Sequence, residues 1–334
     1  MLKIYDQSSP STLVGVARIF ATQVIHGIAL RQGNVSDKEV SIVIWGGRTF
    51  TFLSVDDIKR IISGEIEGNS WKETLAADWI LDAAFSPSSK DTSCVFITAH
   101  NEAVQVSVQP RRGEPKMKTM SSASRSILYS AHVTWVSNTT IMVAAGTVFG
   151  EIEIIVWSMD GEDNTEIGSI LTTFTGHEGS IFGVQISPEL NNGDGTSGRI
   201  LASCSDDRTI RLWDLSALDL NTPVANGISK LSLKDTGFGG KEASAPAAAQ
   251  TESRCIAKAM GHASRIWKVR FIVEEDQKAN GRTAFNILSF GEDCTVQQWV
   301  LNGWPAVTEG LGNVGAGVKA GAEKKVLATL SHLG

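Results

Sequence analysis

Short runs in which apolar and polar residues alternate recur along most of the chain. Clear examples are SIFGVQIS (180–187), RILASCS (199–205) and TIRLWDL (209–215), and Asp, Gly, Asn and Ser residues lie between such runs. Successive side chains of a β-strand point to opposite faces of its sheet, so this period of two predicts short strands joined by tight turns. The pattern therefore predicts an all-β protein of antiparallel strands.

A repeat groups these strands into larger units. The segment SDDRTIRLWD (205–214) aligns without a gap to GEDCTVQQWV (291–300) at its Asp, Thr and Trp positions. Each segment follows a Gly-His pair, and His and Trp are 36 residues apart in the first copy and 37 in the second. Fainter copies precede them, and the third strand of each copy is marked by Tyr5, Leu53, Ser107, Trp157, Trp213 and Trp299.

The spacing of the copies predicts the fold. Successive third-strand markers are separated by 48, 54, 50, 56 and 86 residues. Intervals of this length hold four short strands, and Gly-His and Trp-Asp punctuation is typical of WD-repeat β-propeller blades. We therefore predict that residues 1–334 form a single WD-repeat β-propeller in which about six blades are represented. Its ends are expected to be incomplete, because the chain begins at a third strand and EKKVLATLSHLG (323–334) resembles the start of another blade.

Two segments interrupt the repeats. Residues 217–253 have few large apolar side chains and many Ala, Ser, Gly and Lys residues, so they are expected to be a disordered insertion. Residues 302–324 are expected to be a Gly-rich loop. This loop includes GLGNVG (310–315), which fits the glycine pattern of dinucleotide sites, but no buried strand precedes it and no βαβ unit surrounds it. We therefore expect no cofactor.

Composition limits the class of protein. A chain with 42% hydrophobic and 20% charged residues contains enough apolar side chains for a large buried core. The net charge of −6 argues against a protein that is basic throughout, so any contact with RNA requires a local basic patch. The chain contains neither an apolar run of about 18 residues nor an N-terminal signal pattern, so we expect no membrane contact and a cytoplasmic location. Cys94, Cys204, Cys255 and Cys294 lie far apart in the sequence and are expected to be reduced and buried, with no metal site.

The repeated His, Ser and Asp residues allow two interpretations, a hydrolytic or metal site and a structural hydrogen-bond network. A catalytic triad requires an exposed nucleophile and a single copy, whereas this pattern occurs twice. WD-repeat blades hold the same residue types in a buried hydrogen-bonded chain, since a buried imidazole or carboxylate without partners is destabilising. The resemblance assigns this structural role to His177, Ser203 or Ser205, Asp207 and Trp213, and in the second copy to His262, Ser289, Asp293 and Trp299. We therefore expect no catalytic residues and no enzymatic activity.

Five stretches resemble one WD-repeat family more specifically. They are IHGIAL (25–30), AAGTVFGEIEIIVW (144–157), GHEGSIFGVQIS (176–187), SDDRTIRLWD (205–214) and GHASRIWKVRF (261–271). In this order they resemble the family of the non-catalytic partner subunit of a tRNA ribose 2′-O-methyltransferase that acts on the wobble nucleotide of the anticodon. Members of that family are longer and carry more than one propeller. The resemblance implies that this chain covers part of the first propeller, which is expected to be seven-bladed in the complete protein.

The resemblance also implies a function. It predicts a scaffold that binds the methyltransferase and positions tRNA, with no small-molecule substrate of its own. Arg and Lys supply most sequence-independent affinity for phosphate, and the candidate contacts to RNA or to the partner are Arg48, Arg208, Arg265, Lys268 and Arg270. The alternative is a general protein–protein interaction propeller, such as a trafficking or signalling adaptor, with no RNA role. An RNA-binding surface is expected to gather Arg48, Arg208 and Arg265 on one side.

Overall fold

The computed structural model describes most of the chain. The described residues are 1–33, 36–37, 39–65, 71–87, 93–107, 115–160, 167–191, 197–216, 218, 255–272, 285–301 and 323–329. Within these ranges the chain forms 24 strands and one helix, with five four-stranded sheets and two two-stranded sheets. In this described part, no helix is both long enough and apolar enough to cross a membrane.

The chain divides into two compact units. Unit 1 comprises residues 1–143 and 156–168, and unit 2 comprises residues 144–155 and 169–334. Each unit contains its own buried apolar clusters.

Unit 1 begins with a two-stranded antiparallel sheet. Its strands are β1 (Leu2–Tyr5) and β2 (Leu13–Ala17). The first four-stranded sheet follows, and it has the order β3-β4-β5-β6. Its strands are β3 (Gly27–Leu30), β4 (Val40–Gly46), β5 (Thr49–Ser54) and β6 (Thr74–Leu75).

A short helix, α1 (Val55–Ile62), follows β5 directly. The Ser54 side chain accepts a hydrogen bond from the Asp57 N–H at 3.2 Å, and the Asp57 carboxylate accepts one from the Ser54 N–H at 2.8 Å. This reciprocal capping box satisfies two backbone donors at the helix start. Ile58 and Ile61 then pack into the cluster that contains Leu53. The alternation of strands did not predict this helix, although the Ser-x-x-Asp spacing before apolar residues was a local signal for it.

The second four-stranded sheet of unit 1 has the order β10-β9-β8-β7. Its strands are β7 (Ile80–Phe85), β8 (Ser93–Thr98), β9 (Ala103–Ser107) and β10 (Lys116–Met120). It packs against the first sheet through aromatic side chains. Phe50 of β5 contacts Phe96 of β8 edge to face, with 4.8 Å between ring centroids.

A further four-stranded sheet has the order β11-β12-β13-β14. Its strands are β11 (Leu128–Trp135), β12 (Thr140–Thr147), β13 (Ile152–Ser158) and β14 (Ser169–Phe174). Trp157 of β13 is fully buried and donates its indole N–H to the backbone oxygen of Ser121 at 3.1 Å.

Unit 2 contains the two sheets that carry the clearest repeats. The first has the order β15-β18-β19-β20, and its strands are β15 (Ile181–Ile186), β18 (Ile200–Ser205), β19 (Thr209–Asp214) and β20 (Cys255–Met260). A small hairpin lies between β15 and β18 and consists of β16 (Leu190–Asn191) and β17 (Ser197–Gly198). The last sheet contains β21 (Ile266–Ile272), β22 (Phe285–Gly291), β23 (Thr295–Leu301) and β24 (Glu323–Thr329).

The predicted four-strand unit is confirmed. Five of the six sequence markers lie in the third strand of a four-stranded sheet, and Tyr5 lies in β1, which pairs with β2. The prediction that residues 323–334 open another blade is wrong for residues 323–329, because β24 pairs with β23 as the fourth strand of the last sheet. A strand pattern alone does not show which neighbour supplies the backbone partners.

The two predicted interruptions fall mainly outside the described residues. Within 217–253 only Leu218 is described, and within 302–324 only Glu323 and Lys324 are described, as the first residues of β24. The GLGNVG segment at 310–315 also lies outside the described residues. The insertion leaves β19 and β20 paired, with Thr209 opposite Met260 and Trp213 opposite Cys255.

Candidate functional site

The first repeated constellation forms a continuous hydrogen-bonded chain inside unit 2. Trp213 Nε1 lies 2.9 Å from Ser203 Oγ, and the same oxygen lies 2.8 Å from His177 Nε2. On the other side of the imidazole, His177 Nδ1 lies 2.8 Å from Asp207 Oδ2. The His177 side chain is fully buried. Of the two serines predicted for this position, Ser203 therefore occupies it, whereas Ser205 Oγ accepts the Asp207 N–H at 3.2 Å.

The protonation state of His177 sets the direction of this chain. Burial lowers the pKa of His177 below its ordinary value, and this effect outweighs the opposing influence of Asp207, so the imidazole is neutral at pH 7. Because the Asp207 carboxylate only accepts, the one ring hydrogen is on Nδ1 and is donated to Asp207. Nε2 then accepts from the Ser203 hydroxyl, whose oxygen accepts the Trp213 indole N–H.

Asp207 remains ionised because its hydrogen bonds outweigh its burial. Burial alone would raise the pKa of Asp207, but hydrogen bonds from His177, Thr209 and the Glu178 N–H lower it well below the ordinary value. The Thr209 hydroxyl lies 2.7 Å from Asp207 Oδ1, and the Glu178 N–H donates to Oδ2 at 3.0 Å. The carboxylate thus connects the Gly-His turn to the β18–β19 turn.

The second copy repeats this geometry in the last sheet. Trp299 Nε1 and His262 Nε2 each lie 2.8 Å from Ser289 Oγ, and His262 Nδ1 lies 3.1 Å from Asp293 Oδ2. Burial alone would raise the pKa of Asp293, but hydrogen bonds from Thr295, the Ala263 N–H and His262 lower it to about 2. Two blades therefore share one internal design.

Sequence reasoning missed two members of each network. Thr209 and Thr295 were aligned as part of the repeat, yet each also bonds to the Asp two residues before it, with 2.7 Å between oxygens in both copies. Arg211 and Gln297 occupy equivalent strand positions and donate to the backbone oxygens of Gly176 and Gly261. The available signal for the threonines was their identical spacing from Asp in the two copies. Arg211 and Gln297 offered no such signal, because they differ in residue type.

The burial and bonding of these residues fit a structural role better than a catalytic one. Ser203 and Ser289 are fully buried, and each accepts an indole N–H, so neither hydroxyl is accessible to a substrate. Across the described residues, no group of three His, Cys, Asp or Glu side chains is arranged to hold a metal ion.

Two of the fainter repeats contain fragments of the network within the described residues. His26 Nδ1 accepts the Gly47 N–H at 3.1 Å. In the next sheet the residue types are exchanged, since Asp78 precedes the first strand and His100 lies in the turn, with 3.0 Å between Oδ2 and Nδ1. His100 is exposed, so this pair is weakly stabilising.

All four cysteines are free thiols, as predicted, but only two of them are buried. Cys94 and Cys204 are buried, whereas Cys255 and Cys294 are half-buried. Burial raises the pKa of the Cys94 and Cys204 thiols, which makes both unreactive at neutral pH.

The five cationic candidates occupy different environments. Arg48 and Arg208 are exposed on turns that precede third strands, and Arg48 belongs to unit 1 whereas Arg208 belongs to unit 2. Arg265 is also exposed and lies near the Arg208 turn, because its Nε is 3.6 Å from Asp206 Oδ1. Lys268 and Arg270 are half-buried on β21.

Arg265 belongs to an aromatic surface group that we call the Arg265 patch, defined by Phe182, Arg265 and Trp267. The two rings meet edge to face with centroids 4.8 Å apart, and the Arg265 guanidinium carbon lies 5.4 Å from the Trp267 centroid and 5.9 Å from the Phe182 centroid. Trp267 is 43% exposed. The positive charge is compensated, because Arg265 Nε lies 3.1 Å from Glu292 Oε2 in addition to its contact with Asp206. This cation is therefore less suited to phosphate than the sequence suggested.

Comparison with known families identifies one repeat of this type. Residues 168–214 match the family model described as WD domain, G-beta repeat. This match covers β14, β15, β18 and β19 and includes the first hydrogen-bonded chain. Together with the antiparallel four-stranded sheets, it confirms the all-β, WD-repeat propeller class of fold. A search of curated proteins finds no match.

Proposed function

We propose that this chain is a non-catalytic scaffold that binds a tRNA 2′-O-methyltransferase and positions tRNA for methylation of the wobble ribose. The WD40 repeat supports the general part of this proposal, since such domains are usually non-catalytic protein-interaction scaffolds. The specific part rests on the five sequence stretches that resemble the partner-subunit family. A WD40 repeat by itself implies protein partners without naming them.

The observation that carries the proposal is where three of those stretches place their aromatic residues. AAGTVFGEIEIIVW contributes Phe149, which is 80% exposed, GHEGSIFGVQIS contributes Phe182, and GHASRIWKVRF contributes Trp267. The Ser180 hydroxyl donates to the Val148 backbone oxygen at 2.7 Å, which fixes the Phe149 turn against the segment that precedes Phe182. Exposed aromatic and arginine side chains of this kind dominate the energy of protein interfaces.

The charge of the Arg265 patch favours a protein partner at this surface. Its arginine is already paired with two carboxylates, those of Asp206 and Glu292, so a docking protein meets an aromatic surface on which this arginine adds no net positive charge. RNA contacts are then assigned to cations without such carboxylates. A rigid scaffold accelerates a separate enzyme by alignment, since a small positional error at a reacting centre costs about 100-fold in rate.

The proposal includes a cytoplasmic location. It is supported by the four free cysteines, because thiols remain reduced in that compartment.

Deletion of the gene followed by mass spectrometry of tRNA nucleosides tests the function directly. We expect loss of 2′-O-methylation at the wobble position, with unchanged 2′-O-methylation elsewhere in the same tRNA as the internal control. Normal wobble methylation in the deletion strain would contradict the proposal.

Copurification tests the docking surface. Trp267→Ala and Arg265→Ala are expected to reduce recovery of the methyltransferase with the tagged protein. Tyr5→Ala, which removes an exposed aromatic residue of unit 1, is the matched control and should leave recovery unchanged.

The alternative, a protein-interaction adaptor with no RNA role, is favoured by one observation. The two carboxylates around Arg265 disfavour phosphate at the Arg265 patch. This alternative is correct if the tagged protein still copurifies with protein partners while the deletion strain has normal tRNA methylation.

A further inference from the structure

Unit 1 contains a shallow cleft of about 260 Å³ beside the β4–β5 turn. It is lined by Gln23, Gly47, Arg48, Thr49, Leu75 and Trp79. These residues come from the segment before β3, the β4–β5 turn with the first residue of β5, the last residue of β6, and the connection from β6 to β7. The volume is just below the range of about 300–1,000 Å³ that is typical of sites for drug-sized ligands, so the cleft has room for one small chemical group.

One wall of the cleft is a preorganised aromatic face. Trp79 is 54% exposed, and His26 lies against its ring with 5.8 Å between centroids. His26 in turn accepts the Gly47 N–H. The Ile80 N–H donates to the Gly47 oxygen and the Ala99 N–H to the Trp79 oxygen, both at 2.9 Å, so the backbone around Trp79 is fixed from two sides. A ring held in this way loses little conformational entropy on binding.

Arg48 supplies a positive charge at the same cleft. Its Nε donates to the Ala76 backbone oxygen at 3.1 Å, and this bond orients the guanidinium group. Among the described residues no carboxylate lies within ion-pair distance of Arg48, in contrast to Arg265. The carboxylates of Glu73 and Asp78, close in sequence to the lining residues, bond to the Ala21 N–H and to His100.

We propose that this cleft binds one unpaired nucleotide of RNA, with the base stacked on Trp79 against Leu75 and its phosphate at Arg48. The inference deepens the proposed function, on which it rests, by naming the part of the substrate that this surface holds. Every base has a flat face that stacks on an indole, and a guanidinium pairs with phosphate in a planar, bidentate way. An exposed indole lies beside an arginine that has no carboxylate partner in the described part of the chain, and together they present both requirements of a nucleotide at one place.

Binding of a short fluorescein-labelled oligoadenylate to the full chain tests the proposal. Trp79→Ala should weaken binding about 10-fold, because stacking of one base contributes roughly that factor. An oligomer of the same length with abasic riboses should bind the wild type as weakly as oligoadenylate binds Trp79→Ala. Arg48→Ala should weaken the binding of both oligomers and reduce the salt dependence of that binding. Arg48→Lys should retain part of the affinity and part of the salt dependence, because it keeps the positive charge.

Two substitutions outside the cleft serve as matched controls. Tyr5→Ala removes an exposed aromatic residue of β1, and Arg60→Ala removes an exposed arginine that is paired with Glu65. Both should leave oligoadenylate binding unchanged. If Trp79→Ala lowers the melting temperature, Trp79→Leu and Trp79→Phe replace it, since leucine keeps apolar bulk without a flat ring and phenylalanine restores the stacking.

The stacking proposal is overturned if Trp79→Ala binds oligoadenylate with unchanged affinity. It is also overturned if Trp79→Ala weakens binding of oligoadenylate and of the abasic oligomer by the same factor. If an apolar peptide binds the wild type more tightly than it binds Trp79→Ala, and oligoadenylate does not displace that peptide, the cleft binds a protein ligand instead of RNA. The methylation assay separates this result from the proposed function. Lost wobble methylation on gene deletion with normal methylation in Trp79→Ala overturns only the cleft, whereas normal methylation on deletion with Trp79-dependent RNA binding overturns only the methyltransferase role.

Discussion

Trp213 donates its indole hydrogen to the hydroxyl oxygen of Ser203 across 2.9 Å, and both residues are fully buried. The same relationship joins Trp299 to Ser289 at 2.8 Å in the next sheet. In each case the tryptophan side chain fills the blade interior while its one polar atom is satisfied by a serine that is also bound to histidine. The large apolar surface of the ring is thus buried without an unpaired donor.

Removal of the Asp207 carboxylate should destabilise unit 2. Asp207→Ala leaves the buried His177 Nδ1–H without its main acceptor, and the expected loss is about 1–3 kcal/mol of unfolding free energy. Thermal melting measures the change. Asp206→Ala, at the exposed neighbouring position of the same turn, is the control and should have a much smaller effect. Equal melting temperatures for wild type and Asp207→Ala would remove the structural interpretation of the network.

Ser203 and Trp213 should be energetically coupled. A double-mutant cycle of Ser203→Ala and Trp213→Phe is expected to give a coupling of about 0.5–3 kcal/mol, because each substitution removes one partner of the same hydrogen bond. The parallel cycle of Ser205→Ala with Trp213→Phe should show almost none, since Ser205 Oγ bonds to the Asp207 N–H instead. Additive effects in the first cycle would show that the bond does not contribute in solution.

Stability should fall as the solution becomes acidic, partly through His177. Burial lowers the pKa of His177 in the folded protein, so the unfolded chain binds more protons between that value and the ordinary value of about 6.5. The unfolding free energy therefore rises with pH through this interval and levels off above about pH 7.

His177→Gln isolates this contribution. The variant is expected to have a lower unfolding free energy than wild type at pH 7.5. This difference should shrink towards pH 5, because only the wild type loses the stability that neutral His177 contributes. Denaturant unfolding across the pH series provides the measurement. A difference that stays constant with pH would contradict neutral His177 as the folded form.

The helix that follows β5 should depend on its cap. Ser54→Ala removes the side-chain acceptor at the start of α1 and is expected to cost about 0.5–2 kcal/mol. Melting of the variant tests this, with Ser63→Ala at the other end of the helix as the control. Equal losses for both substitutions would show that the capping box has no special role.

Shortening the insertion between β19 and β20 should leave the protein folded. The two strands pair directly from Thr209 opposite Met260 to Trp213 opposite Cys255, so a short Gly-Ser linker in place of residues 221–250 can join them. If the insertion forms no packed element, the shorter loop should leave the melting temperature unchanged or slightly raised. A clearly lower value would reveal a folded element within the insertion.

The repeat in the sequence determined much of the fold because it is a local signal. Alternation along strands and the spacing of Gly-His, Asp and Trp predicted the four-stranded units, and the resemblance to WD repeats assigned the His, Ser, Asp and Trp residues of both networks. Helix α1 lay outside this signal, since its stabilisation comes from the Ser54 cap and from packing of Ile58 and Ile61 on the core.

What the sequence by itself determined about this protein is its strand pattern, its repeated blades and the residue types of the buried networks. Only the tertiary structure decided between Ser203 and Ser205, which point to the same side of β18 and differ only in their position along it. There the register places Ser203 opposite Arg211 of β19 and within reach of both His177 and Trp213. It also decided that two carboxylates from separate turns compensate Arg265, whereas Arg48 shares a cleft with Trp79. Such contacts join residues far apart in the chain, and they depend on register and packing, which no local pattern of side chains encodes.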